Sequence, residues 1–234
     1  MSQWLSSSSL LSKITGQEFA ISNASVEDAG SIIADSTQVG VVSNIKIQDT
    51  SAVIDGAFDS DNASQLAILK NAKVSDISLV DSRIPLDLTY TQLNDSTKNT
   101  ILAKIPASDF LLNVDEASVA QAFTLQSQTA ANNNLYSFSN VKTVSITDSA
   151  SNVETNFDTL KSLTKLQAIG LNNANNEDKL ITLSATKILQ DSSVDLLKKI
   201  TLSPYYLDAT STSMSQLEQL HPLNNSVLNS VEPL

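Results

Sequence analysis

Leu10-Leu11-Ser12-Lys13-Ile14 returns as Ile101-Leu102-Ala103-Lys104-Ile105 and a third time as Leu196-Leu197-Lys198-Lys199-Ile200. The offsets are 91 and 95 residues, and an aromatic residue stands five places after each closing isoleucine: Phe19, Phe110 and Tyr205. Three coincidences at nearly fixed spacing mark an internal repeat, which decides the architecture before any single element is assigned. The pattern extends outward from this phrase. Val42-Ser43-Asn44-Ile45-Lys46-Ile47-Gln48-Asp49 matches Val141-Lys142-Thr143-Val144-Ser145-Ile146-Thr147-Asp148. From the closing aspartate to the next phenylalanine is nine residues in both copies, Asp49 to Phe58 and Asp148 to Phe157.

Other intervals change. Ala24 to Val42 is 18 residues against 24 for Ala117 to Val141, and Phe58 to Ile77 is 19 against 12 for Phe157 to Ile169. The segments that change are rich in Asn, Asp, Ser and Thr: Asp59-Ser60-Asp61-Asn62, 128–134 and 172–176. Stacked supersecondary units tolerate insertions at loop tips, so these segments read as loops.

Periodicity assigns the rest. Asn44 to Gln48 and Lys142 to Thr147 alternate apolar and polar residues, as half-buried strands do. Ile77 and Leu79, and Ile169 and Leu171, begin further strands, each followed by a polar turn and a partner strand, Leu86 to Thr89 or Leu180 to Ser184. After Asp148, Val153, Phe157, Leu160 and Leu163 form one helical stripe, with Asp148 or Ser149 as its N-cap. A second helix is expected through Ile188, Leu189, Leu196, Leu197 and Ile200, with Asp191-Ser192-Ser193 as an interruption.

No strand–helix piece of this size buries its apolar face alone, so its neighbours must stack on it. The expected fold is α/β: an elongated repeat solenoid of short β-strands alternating with amphipathic helices. It forms a single repeat domain over 1–234, with a partial N-terminal unit at 1–40, copies at 41–105 and 106–200, and a partial C-terminal unit and tail at 201–234.

Composition narrows the function classes. A net charge of −11 and a single arginine, Arg83, argue against nucleic acid, since backbone binding needs clustered Lys and Arg to displace counterions. Without cysteine there is no disulfide, thiolate nucleophile or Cys-bound zinc site. Met1 to Ser12 carries no basic region and no long apolar run, so no cleaved signal peptide is expected there. No stretch approaches the roughly 18–20 apolar residues of a membrane span.

The run Val144-Ser145-Ile146-Thr147-Asp148-Ser149-Ala150-Ser151-Asn152-Val153, continuing through Asn156-Phe157-Asp158-Thr159-Leu160, resembles a repeat module of large secreted proteobacterial exoproteins. These are the adhesin-like and calcium-binding, RTX-type proteins exported by type I secretion. Ile169 to Leu171, Ile181 to Leu189 and Leu196 to Ile200 continue the resemblance, and the first copy repeats it more loosely. It implies an extracellular or cell-surface location. One departure is plain: with five glycines and no Gly-Gly pair, the glycine-rich nonapeptides that bind calcium in such proteins are absent.

Candidate chemistry is sparse. His221 is the single histidine and stands before Pro222, which reads as a solvated tail position. Asp55, Asp59, Asp61 and Asn62 form an oxygen-rich segment of the kind calcium prefers, although Ala63 breaks the EF-hand pattern; its plain reading is a solvated loop. Asp49 and Asp148 read as helix N-caps or strand-ending turns, and Phe19, Phe110 and Tyr205 as core anchors. Trp4 and Tyr205-Tyr206 are less constrained and suit open ends or a neighbouring molecule.

The expectation is therefore not an enzyme but a secreted or cell-surface structural or adhesive repeat protein that self-assembles. Its partners are further copies of itself or an extracellular glycan or protein. The alternative is a secreted module that recognises a glycan or host protein through its Asn-rich loops.

Overall fold

A computed structural model describes residues 18–35, 40–59, 62–129, 135–172, 179–202 and 205–226, with side chains through Leu220. Lys13, Ile14, Trp4 and Asp61 lie outside the described residues. The chain divides into two compact units, one drawn from Met1–Leu88, Gln92–Leu112 and Asn134–Tyr136, the other from Thr89–Thr91, Asn113–Asn133 and Ser137–Leu234.

In the first unit β1 (Phe19–Ala24), β2 (Val42–Asp49) and β3 (Val74–Leu79) form a parallel sheet in chain order. Helix α1 (Val26–Ala34) returns the chain between β1 and β2; α2 (Ser51–Gly56) and α3 (Ala63–Lys70) return it between β2 and β3. Parallel neighbours require such crossovers, which is why strand and helix alternate along the sequence. The chain continues through β4 (Leu86–Thr89), α4 (Tyr90–Leu93) and α5 (Ser96–Leu102).

The second unit repeats the arrangement. There β5 (Leu112–Ala117), β6 (Val141–Asp148) and β7 (Leu166–Leu171) lie side by side in chain order, with β6 and β7 parallel. Between them run α6 (Val119–Gln126), α7 (Ala150–Thr155) and α8 (Phe157–Leu160). β8 (Leu180–Ser184) and β9 (Tyr206–Thr210) form a separate parallel pair, joined through α9 (Ala185–Ile188) and α10 (Asp191–Leu197). Helix α11 (Met214–Ser226) follows.

The recurrent Lys-Ile phrase has a physical cause. Ile101, Leu102, Leu196 and Leu197 close α5 and α10 inside the core, and Ile105 and Ile200 that follow are buried as well. Between them, the carbonyls of Lys104 and Lys199 accept from the N–H of Ile77 and Ile169, at 2.9 and 2.7 Å. Lys73 and Lys165, which precede β3 and β7, do the same for Ile45 and Val144. The ammonium groups of Lys73 and Lys165 also donate to the carbonyls of Val42 and Val141, the first residues of β2 and β6. Lys73 and Lys165 thus pin the start of β3 to that of β2 and the start of β7 to that of β6. Burial pushes the Lys104 and Lys165 ammonium groups below the ordinary lysine range.

The wealth of Ser and Thr follows from the shortness of the helices, whose unpaired N-terminal N–H groups are a large fraction of their backbone. Ser25, Thr50, Ser118, Ser149 and Ser184 each accept one such N–H, and Ser118 with Gln121 forms a reciprocal capping box.

Several expectations need correction. β3 and β4, and likewise β7 and β8, are not hairpin partners, because β3 and β7 pair with β2 and β6 while β8 pairs with β9. Ile77 and Leu79 fall in the second half of β3, and Ile169 and Leu171 in the second half of β7. The stripe Val153, Phe157, Leu160 and Leu163 is buried as expected, but the helix breaks at Asn156 into α7 and α8. Its N-cap is Ser149. The second helix breaks at Leu189-Gln190, so Asp191 starts a helix and does not interrupt one.

Candidate functional site

The carboxylates are the richest source of chemistry, and among the described residues several of them accept backbone N–H groups. Asp55 lies on α2, where its Oδ1 accepts from the backbone N–H of Asp87 at 2.9 Å. Asp59 is exposed just beyond α2, and the Asn62 side-chain amide donates to the Gly56 carbonyl at 2.9 Å. Burial pushes the Asp55 carboxyl up to about 6 against the opposing pull of the Asp87 N–H, with the Asp87 and Asp59 charges adding to the rise. Among the described residues no group of three or more His, Asp or Glu side chains is placed to hold a metal ion.

The second copy shows what Asp55 is for. Glu154, at the equivalent place on α7, accepts from the N–H of Thr182 at 2.8 Å, as Asp55 accepts from that of Asp87. Both acceptors follow the strand-closing aspartate by six residues. The carboxylate belongs to the repeat, and it ties a helix to a strand about thirty residues downstream.

Asp49 and Asp148 follow the same logic in the reverse direction. The Oδ2 of Asp49 accepts from the N–H of Val26, and that of Asp148 from the N–H of Val119, both at 2.9 Å. Val26 and Val119 open α1 and α6, so each aspartate at a strand end serves the helix that precedes its strand. Its Oδ1 accepts from the following residue, Thr50 or Ser149, at 2.8 Å. Asp81 does similar work for α2, accepting from both the N–H and the hydroxyl of Ser51. These acceptors are stabilised by the helix dipole and by charge-assisted bonds.

A third repeated feature lies in the backbone. Asn23, Glu116 and Ser211 have left-handed φ values of 59°, 56° and 57°, each two residues before the serine that precedes α1, α6 or α11. In the third position Ser213 exchanges bonds with Gln216, as Ser118 does with Gln121. Nothing but an alignment of the three segments identifies this bend in advance, since Asn, Glu and Ser share no propensity for it.

Of the remaining sequence candidates, Phe110 and Tyr205 are buried and Phe19 is partly so. Desolvation raises the Tyr205 hydroxyl above the ordinary range. His221 lies on α11. Lys161 and Lys187 converge on the exposed Asp158 at 2.9 and 2.7 Å and hold its carboxyl below the usual range, the Lys187 hydrogen bond foremost. No helix among the described residues is long and apolar enough to cross a membrane. No family model, no curated protein and no solved structure matches the chain.

Proposed function

We propose that this chain is a non-catalytic structural or adhesive repeat protein, extended as an α/β solenoid, that acts outside the cell and assembles with further copies of itself. The observation that carries the reading is the employment of its carboxylates: Asp49, Asp55, Asp81, Asp148 and Glu154 all accept backbone N–H groups. Carboxylates spent in this way stiffen a stack of rungs, and a stiff stack suits a scaffold. In-order parallel strands support the solenoid, because each rung then contacts the next and leaves strand edges at its ends. Export by type I secretion is what the sequence resemblance implies for this reading.

Light scattering and electron microscopy of the purified chain, with and without calcium, test the reading. Concentration-dependent growth into elongated particles is expected. A monomer under every condition, together with saturable binding on a glycan array, would replace it with the alternative of a secreted binding module.

A further inference from the structure

Residues 80–84 form the turn between β3 and β4, and this turn is held from within. The N–H of Val80 donates to the Asp49 carbonyl at 3.0 Å, and that of Ile84 to the Asp81 carbonyl at 2.7 Å. Ser51 is 1% exposed, and its N–H donates to Oδ1 of Asp81 at 2.6 Å. Its hydroxyl lies 2.8 Å from the same Oδ1 and 3.0 Å from the Ile84 carbonyl, acceptors between which the one proton is shared. In the second repeat copy the N–H of Asn172 donates to the Asp148 carbonyl at 3.1 Å, as that of Val80 does to Asp49, but Ala150 stands in the place of Ser51. The fastening hydroxyl is thus particular to the first copy.

On this frame stand three exposed side chains. Val80 is 58% and Ile84 54% exposed, and Arg83 between them is exposed as well. Isolated surface aliphatics are ordinary. Two of them in one turn, flanking an arginine, have the composition of an interface centre, where Arg is enriched and apolar neighbours exclude water around it. Arg83 is the chain's single arginine, and among the described residues no carboxylate pairs with it. A turn already fixed loses little freedom on binding.

We infer that the turn 80–84 is the contact by which one molecule of this protein meets a carboxylate-bearing surface of the next. Charge complementarity names the occupant: with 25 Asp and Glu against 14 Lys and Arg, a second molecule presents carboxylates in excess. Symmetric pairing of turn with turn is disfavoured, because it brings two Arg83 guanidinium groups together while the turn's own carboxylate, Asp81, is occupied by Ser51. The contact is therefore heterologous, and a heterologous contact that does not close into a ring keeps adding molecules. The inference rests on the proposed self-assembly and supplies the surface for it.

Sedimentation velocity of the intact chain over a range of concentrations, at low and high sodium chloride, is the test. Reversible association is expected of the parent, weaker at high salt because the contact is between opposite charges. Arg83→Glu should weaken association about tenfold or more, and so should Val80→Ser combined with Ile84→Ser. Circular dichroism should be unchanged in both variants, since all three side chains are exposed. Arg83→Lys should weaken association less. Carbodiimide treatment of that variant, as a mixture of isotopically light and heavy chains, should link position 83 to an Asp or Glu of another molecule, identified by mass spectrometry. If the parent associates and Arg83→Glu associates as strongly, this assignment is overturned and the proposed function stands; a parent that remains monomeric overturns both.

Discussion

The carboxylate of Asp148 holds the N–H of Val119 at 2.9 Å across 29 residues of sequence. The same carboxylate accepts from the Ser149 N–H and the Asn152 side-chain amide at 2.8 and 2.7 Å, and Asp148 is 8% exposed. One side chain therefore anchors two helix starts, α6 and α7.

Asp148→Ala should destabilise the protein by about 2–3 kcal/mol, because it leaves two backbone donors and one amide unserved in a dry site. Urea denaturation measures the loss. Asp49→Ala should cost less, since its carboxylate carries the two backbone bonds without an amide partner.

Asp55 sets a pH dependence of unusual sign. Its folded pKa, about 6, lies above the ordinary 3.8, so the folded state binds this proton more tightly than the unfolded state does. Its contribution to stability therefore falls as pH rises from about 4 to 6, and the charge is a burden at neutral pH. Asp55→Asn keeps an acceptor for the Asp87 N–H and removes the charge. The variant should be more stable than the parent by about 1 kcal/mol at pH 7.5, the half-exposed site screening the full effect, and should converge with it below pH 4. Paired denaturation curves at the two pH values check the direction.

Glu116 adopts a φ of 56° while its side chain is exposed. A left-handed glutamate costs roughly 1 kcal/mol relative to residues that tolerate that region. Asparagine already stands at the matching place in the first copy, at Asn23. Glu116→Asn should raise stability by about 0.5–1 kcal/mol, visible as a higher thermal midpoint, whereas Glu116→Val should lower it.

Ser193 is fully buried in the first turn of α10, and its hydroxyl has no partner. Replacing it by alanine removes an unsatisfied polar group without opening a cavity larger than one oxygen. A gain of about 1 kcal/mol is expected on chemical denaturation.

How far sequence reasoning reached depended on the range of the interaction. Alternation located β2 and β6, and Leu86–Thr89 and Leu180–Ser184 were placed at the bounds the structure has, because local burial writes itself into a period of two. Strand partners were not accessible in the same way. β3 and β4 lie close in sequence with a polar turn between them, yet β3 pairs with β2 through two crossover helices. The roles of Asp49, Asp148 and Glu154 were also hidden, since their hydrogen-bond partners stand 23 to 29 residues away. Lys73 and Lys165 were missed although each stands immediately before a strand, a signal that aligning the strand starts would have exposed.

The aspartate bond from Val26 to Asp49 closes over 23 residues, and that from Val119 to Asp148 over 29, with the same geometry at the end. What lies between the helix and the strand is thus released from any duty to set their register. Doubling such a connection adds only about 0.6 kcal/mol of closure entropy, so these segments are permissive places to graft foreign peptides. The molecule separates what must stay constant from what is free to diverge, and the aspartates that close β2 and β6 mark the boundary.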